Sequence, residues 1–129
     1  MSDSEFAESR QDYQQHAEKV RILQMRFNQS TDLNTRTGIM QEQRSAMQGT
    51  EKSYTYLEAT YDSLVPGEKR DNRSKMEACK KEFYDLKVDY QKQEQSLQTQ
   101  RNKEELVYTT TENGANFRAQ QNMREKLID

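Results

Sequence analysis

The seven-residue spacing of large apolar side chains constrains this chain more than any other feature. Phe6, Tyr13, Val20 and Phe27 stand seven apart, and Ser9, His16 and Leu23 follow the first three of them by three residues. Seven residues is close to two helical turns, so such rows keep one stripe of a helix turned toward a partner helix. The pattern then restarts twice. Leu33, Met40, Met47, Tyr54 and Tyr61 repeat by seven, with the companion row Arg36, Gln43, Thr50, Leu57 and Leu64. Met76, Phe83, Tyr90 and Leu97 repeat in the same way, beside Cys79, Leu86, Gln93 and Gln100.

Periodicity settles what composition leaves open. With 31% hydrophobic and 33% charged residues, the chain could be disordered or could form long helices with a narrow apolar seam. Disorder carries no such rhythm. One proline and four glycines among 129 residues favour few, long elements. Helices are expected near 4–28, 32–64 and 67–106, joined by short corners that make neighbours antiparallel. The fold class is therefore all-α: an antiparallel three-helix bundle over 1–106. A linker is expected over 107–114, where Asn113-Gly114 ends a β-branched stretch. A short helical segment over 115–129 follows; its large apolar residues are Phe117, Met123, Leu127 and Ile128.

Local signals fill in the ends and weak points. Ser2 with Glu5 fits a capping box, and Pro66 suits the first turn of the third helix. The polar half of the second seam predicts weaker packing, and Gly38 and Gly49 each cost about 1 kcal/mol relative to alanine. The second helix is expected to be the least stable. Gln93 and Gln100 predict that the end of the third helix projects beyond the bundle. Asp71–Lys75 and Glu77–Lys81 have the spacing of helical ion pairs. Tyr56 and Tyr84 are read as widening the core stripe.

The chemistry of the chain is sparse. His16 is the lone histidine and Cys79 the lone cysteine, and both fall on seam positions, where packing is their expected role. No phosphate-binding glycine loop, metal-ligand spacing or nucleophile elbow occurs. No enzyme activity, cofactor or metal is expected. Acids and bases are interspersed at a net charge of −2, which gives no reason to expect nucleic-acid binding. No apolar run is long enough to span a bilayer. Arg70, Arg73, Lys80 and Lys87 can share one side of the third helix; interleaved acids make a solvated face the expected reading.

The corner carries a family resemblance. Tyr61-Asp-Ser-Leu-Val-Pro-Gly-Glu-Lys-Arg70, continuing through Ser74-Lys-Met-Glu-Ala-Cys-Lys-Lys-Glu-Phe-Tyr-Asp-Leu86, resembles the N-terminal domain of Vti-type (Qb) SNAREs, the vesicle transport v-SNARE family. Leu64, Pro66, Glu68, Arg70, Met76, Lys80, Phe83 and Leu86 hold comparable places, while Val65 stands where the family often has a second proline. The stretch 118–129 is similar to the approach to a SNARE motif. The resemblance implies a regulatory and recruitment domain acting in vesicle transport and membrane fusion, on the cytosolic face of Golgi or endosomal membranes. The implied partners are other SNAREs and epsin-type adaptors, met by a monomeric domain that does not itself insert into membrane. Pro66, Glu68, Arg70 and Arg73, polar or rigid at the second corner, are the candidate partner-binding residues. The second reading is a structural coiled-coil protein that self-associates through the same heptads.

Overall fold

The computed structural model describes residues 3–124, with side chains over 3–106. Three helices follow in order, α1 (Asp3–Gln29), α2 (Leu33–Asp62) and α3 (Pro66–Arg124). The chain divides into two compact units, Met1–Glu94 and Gln95–Asp129. The first is an up-down-up three-helix bundle. Cross-helix hydrogen bonds fix its directions. Ser9 meets Thr60, Asp12 meets Ser53 and Gln24 meets Gln43, so α1 and α2 are antiparallel. Asp3 meets Asn72, Tyr13 meets Cys79 and Asn28 meets Gln93, so α3 returns parallel to α1.

Each helix end has a local cause. Asp3 and Glu5 lie in the first turn of α1 and Arg26 in its last, the signs that suit the helix dipole. Ser30 Oγ then donates to the Arg26 carbonyl at 2.8 Å, drawing the chain out of the helix. Asp32 caps α2: its carboxylate accepts from Thr35 N at 2.9 Å and Thr35 Oγ1 at 3.0 Å, which holds it below its ordinary pKa. At the second corner Leu64 is buried, and Pro66 opens α3. Tyr61 Oη donates to the Lys69 carbonyl at 3.1 Å, tying the end of α2 to the start of α3. Ser2, half of the expected capping box, lies outside the described residues, as do Leu127 and Ile128.

The core follows the seams. Phe6, Tyr13, Val20, Leu23, Tyr54, Leu57, Met76, Cys79, Phe83 and Leu86 form one buried cluster. At its centre the Tyr54 and Phe83 rings stack at 4.4 Å, and Tyr13 meets both edge-on. Several expectations need correction. Ala17, not His16, is the buried residue of its turn; the His16 side chain is 41% exposed. A helix that packs on two partners needs a wider stripe than a two-helix seam, and the extra width falls on Ala17 and Gln24. Tyr56 and Tyr84 do not widen the core, for they are 54% and 63% exposed. Neither Asp71–Lys75 nor Glu77–Lys81 is formed; Lys81 Nζ pairs with Asp85 at 2.9 Å.

The polar seam positions are buried rather than loosely packed. Gln43 and Thr50 are fully inside, and Gln93 is 7% exposed, so the third seam does not project at Gln93. Gln24 Nε2 donates to Gln43 Oε1 and the Leu86 carbonyl. Gln43 Nε2 donates to Gln93 Oε1 and Met40 Sδ. Gln93 Nε2 donates to the Gln24 carbonyl and Asn28 Oδ1. Three amides, one from each helix, thus satisfy one another and form a polar layer across the bundle.

Helix α3 also runs unbroken through 107–114, where a linker was expected. That stretch contains no proline. A helix already propagating gains a hydrogen bond with each residue it adds, whereas β-branched residues cost tenths of a kcal/mol and a glycine only about 1 kcal/mol. No described residue has a positive φ, so Asn113-Gly114 makes no turn.

Candidate functional site

The second corner separates the four residues singled out in the sequence. At about 100° per residue, Pro66, Arg70 and Arg73 share one face of α3, and all three are exposed. Glu68 stands on the opposite, core-facing side and is half-buried. Its carbonyl accepts from Asn72 Nδ2 at 2.8 Å, and the same amide donates to Asp3 Oδ1 at 2.6 Å. Glu68 is therefore part of the helix start that locks α1 to α3. It does not belong to one accessible surface with Arg70 and Arg73.

Beyond the corner, the exposed face of α3 continues toward α2 and forms one wall of a groove. Two adjoining depressions line it. The first is bounded by Asp62, Glu58, Arg73, Glu77 and Lys80 above Tyr61 and Met76, the second by Glu58, Glu51, Lys80, Lys87 and Tyr84 above Tyr54 and Phe83. On this side of the bundle the positions just after the seam residues are exposed: they carry Glu51, Glu58 and Asp62 on α2, and Lys80 and Lys87 on α3, where Glu77 is the one acid beside Arg73 and the lysines. The floor is closed, because Tyr54, Met76 and Phe83 are only 6–8% exposed. Lys87 Nζ lies 4.8 Å from the Phe83 ring centroid, over its face. Burial, then the neighbouring Glu58 carboxylate, push the Tyr54 phenol up to about 12.

The remaining reactive groups are held in structural contacts. His16 lies on the α1–α2 side, where Nδ1 meets the Asp12 carbonyl at 2.9 Å and Ser53 Oγ at 3.0 Å. Ser53 Oγ itself donates to the Asp12 carboxylate at 2.9 Å. A nucleophile relay needs the imidazole between carboxylate and hydroxyl; here hydroxyl and carboxylate bond directly, and the same ring nitrogen faces both. Cys79 is buried on α3, and that burial raises its thiol pKa, opposed by a hydrogen bond from Arg10. Among the described residues no group of three or more His, Cys, Asp or Glu side chains is placed to hold a metal ion. No described helix is long and apolar enough to cross a membrane.

Sequence reasoning identified the basic residues of α3 but missed the acidic row of α2 that opposes them. The seven-residue spacing of Arg73, Lys80 and Lys87 was visible. The pairing of that row with Glu51, Glu58 and Asp62 arises only when α2 and α3 pack. No family model, curated protein or solved structure matches this chain.

Proposed function

We propose that this chain is a non-enzymatic protein-binding module of vesicle traffic, equivalent to the N-terminal regulatory domain of a Vti-type SNARE. The observation that supports it best is the closure of the bundle. The three seams are used internally, down to the polar layer whose amide hydrogens all find acceptors. Function then falls to the outer faces, and the exposed turn at Arg70 and Arg73 stands on a corner stiffened by Pro66, buried Leu64 and the Tyr61–Lys69 bond. A rigid, polar corner can recognise a partner with little ordering cost. In this reading the partners are other SNAREs and epsin-type adaptors, met at the cytosolic face of Golgi or endosomal membranes, and the chain needs no cofactor.

Calorimetric titration of the purified chain against recombinant Golgi and endosomal SNAREs and epsin-type adaptor domains tests this. One partner is expected to bind at one-to-one stoichiometry, and Arg70→Glu/Arg73→Glu is expected to weaken it about tenfold or more, as loss of two interfacial charges does. The variant's thermal melt should match wild type. A folded chain that binds none of these partners would refute the proposal.

A further inference from the structure

The groove between α2 and α3 is charged in a pattern that matches itself. Because the helices are antiparallel, each level pairs one acid of α2 with one base of α3: Asp62 with Arg73, Glu58 with Lys80, Glu51 with Lys87. None of these six side chains forms an ion pair with another described residue; the bridges present involve other groups. The rim also carries Tyr84, a large aromatic that is 63% exposed. The surface therefore presents an acidic edge, a basic edge interrupted by Glu77, and an exposed ring. Glu58 contacts Tyr54 and Lys87 lies over the Phe83 ring, but no ion pair within the described residues neutralises these charges.

We propose that this face is a contact surface between two copies of the chain. A two-fold axis parallel to the helices exchanges left and right while keeping each level in place. It lays the acidic edge of one copy on the basic edge of the other, at all three levels and on both sides, with Glu77, between Arg73 and Lys80, the one acid that meets like charge. A two-fold axis across the helices would set acid on acid and base on base. The charge pattern thus selects one arrangement, with the two α3 helices parallel. The net charge of −2 opposes the approach of a second copy only weakly. Each Tyr84 then lies beside the partner's acidic edge, where an aromatic body and a hydroxyl are both accommodated. The floor residues are already buried, so the contact is held by exposed charges. It is weak and sensitive to salt. The internal seams are not involved, and the inference stands independently of any role in vesicle traffic.

Sedimentation equilibrium of the full chain tests this at low and high ionic strength. Wild type is expected to dimerise with rising concentration at low salt and to dissociate at high salt. Glu58→Lys alone and Lys80→Glu alone should each weaken association about tenfold or more, since symmetry turns two attractive contacts into repulsions. The double variant Glu58→Lys/Lys80→Glu should restore it, as should an equimolar mixture of the two single variants. Because Glu58 also contacts Tyr54, Glu51→Lys and Lys87→Glu repeat the experiment at a second level, with thermal melts checking the fold. A monomer at every concentration in low salt would overturn the proposal. So would singles that associate like wild type, or doubles that stay monomeric. A dimer that survives high salt would also overturn it and would point to exchange of the apolar seams. Binding of an amphipathic helix from another protein, with no self-association, would give the groove a different occupant and refute the second copy.

Discussion

Replacing Gln43 by leucine isolates the role of the polar layer. Gln43 is fully buried and links the other two glutamines, accepting from Gln24 at 3.1 Å and donating to Gln93 at 2.8 Å. Gln43→Leu keeps the volume but removes the donor to Gln93 Oε1 and one of the two acceptors of Gln24 Nε2. A buried polar group stripped of a partner costs about 1–3 kcal/mol. Two such groups, partly offset by the more apolar leucine, give an expected loss of about 2–3 kcal/mol, a large part of a typical domain stability of about 5–15 kcal/mol. The triple variant Gln24→Leu/Gln43→Leu/Gln93→Leu should behave differently. What it strands is the Leu86 carbonyl, the carbonyl of position 24, a thioether and the exposed Asn28 amide. The carbonyls keep their helical bonds, and the thioether needs none. The triple variant is therefore expected to match or exceed wild-type stability, as apolar replacement of whole buried polar networks often does. Urea denaturation followed by circular dichroism measures all three single variants and the triple. Additive losses in the triple variant, or a stabilised Gln43→Leu single variant, would refute the reasoning.

Three further outcomes follow from the same packing. Phe83→Ala removes the ring stacked on Tyr54 at 4.4 Å and edge-on to Tyr13 and should cost about 3–5 kcal/mol by denaturant unfolding; an unchanged midpoint would show that the ring is not packed. Gly38→Ala should stabilise the chain by about 0.5–1 kcal/mol, because an added Cβ meets nothing within 4 Å. Gly49→Ala should gain less, because its Cβ would come 3.1 Å from the His16 ring, and equal gains in thermal melts would contradict that contact. Raising the pH should unfold the chain once the unfolded-state tyrosines ionise near 10, because burial raises the pKa of both Tyr13 and Tyr54 in the fold, the latter to about 12. A raised folded pKa contributes stability that is complete below 10.0 and is lost as pH climbs through the folded value. Tyr54→Phe should shift the alkaline midpoint upward relative to its own stability at neutral pH, read by circular dichroism.

The fold was legible where one residue type meets one geometric demand. The rows through Phe6, Tyr13, Val20, Leu57, Phe83 and Leu86 set three helices and most of the core, and Pro66 set the second corner. Partners distant in sequence were not legible. Glutamines at seam positions look like flaws until Gln24, Gln43 and Gln93 are seen to satisfy one another across three helices. Arg36, charged at a seam position, is accommodated because its guanidinium lies 3.9 Å over the Phe27 ring. Heptads alone could not show that α1 needs Ala17 in place of His16, since the width of a stripe depends on how many helices it touches. Nor could they show that Tyr56 and Tyr84 face outward. The continuity of α3 through 107–114 was hidden for another reason: local propensities there are unfavourable by little, and helix already formed upstream overrides them.

The polar layer and the charged groove are coupled through register. Packed apolar stripes tolerate sliding by a heptad, because one apolar residue can replace another in the same slot. Hydrogen bonds between specific amides do not, since a slip of α3 against α2 would separate Gln43 from Gln93 and leave both unsatisfied. That same register sets Glu58 level with Lys80 and Glu51 level with Lys87. The glutamines thereby hold the acid–base levels on which self-association depends. The triple leucine variant separates the two effects, because it should keep stability while loosening register. It is expected to melt at or above the wild-type temperature yet to dimerise more weakly at low salt, although no groove residue has changed. Undiminished dimerisation in a fully folded triple variant would show that apolar packing alone fixes α2 against α3, and would remove the glutamine layer from any part in presenting the groove.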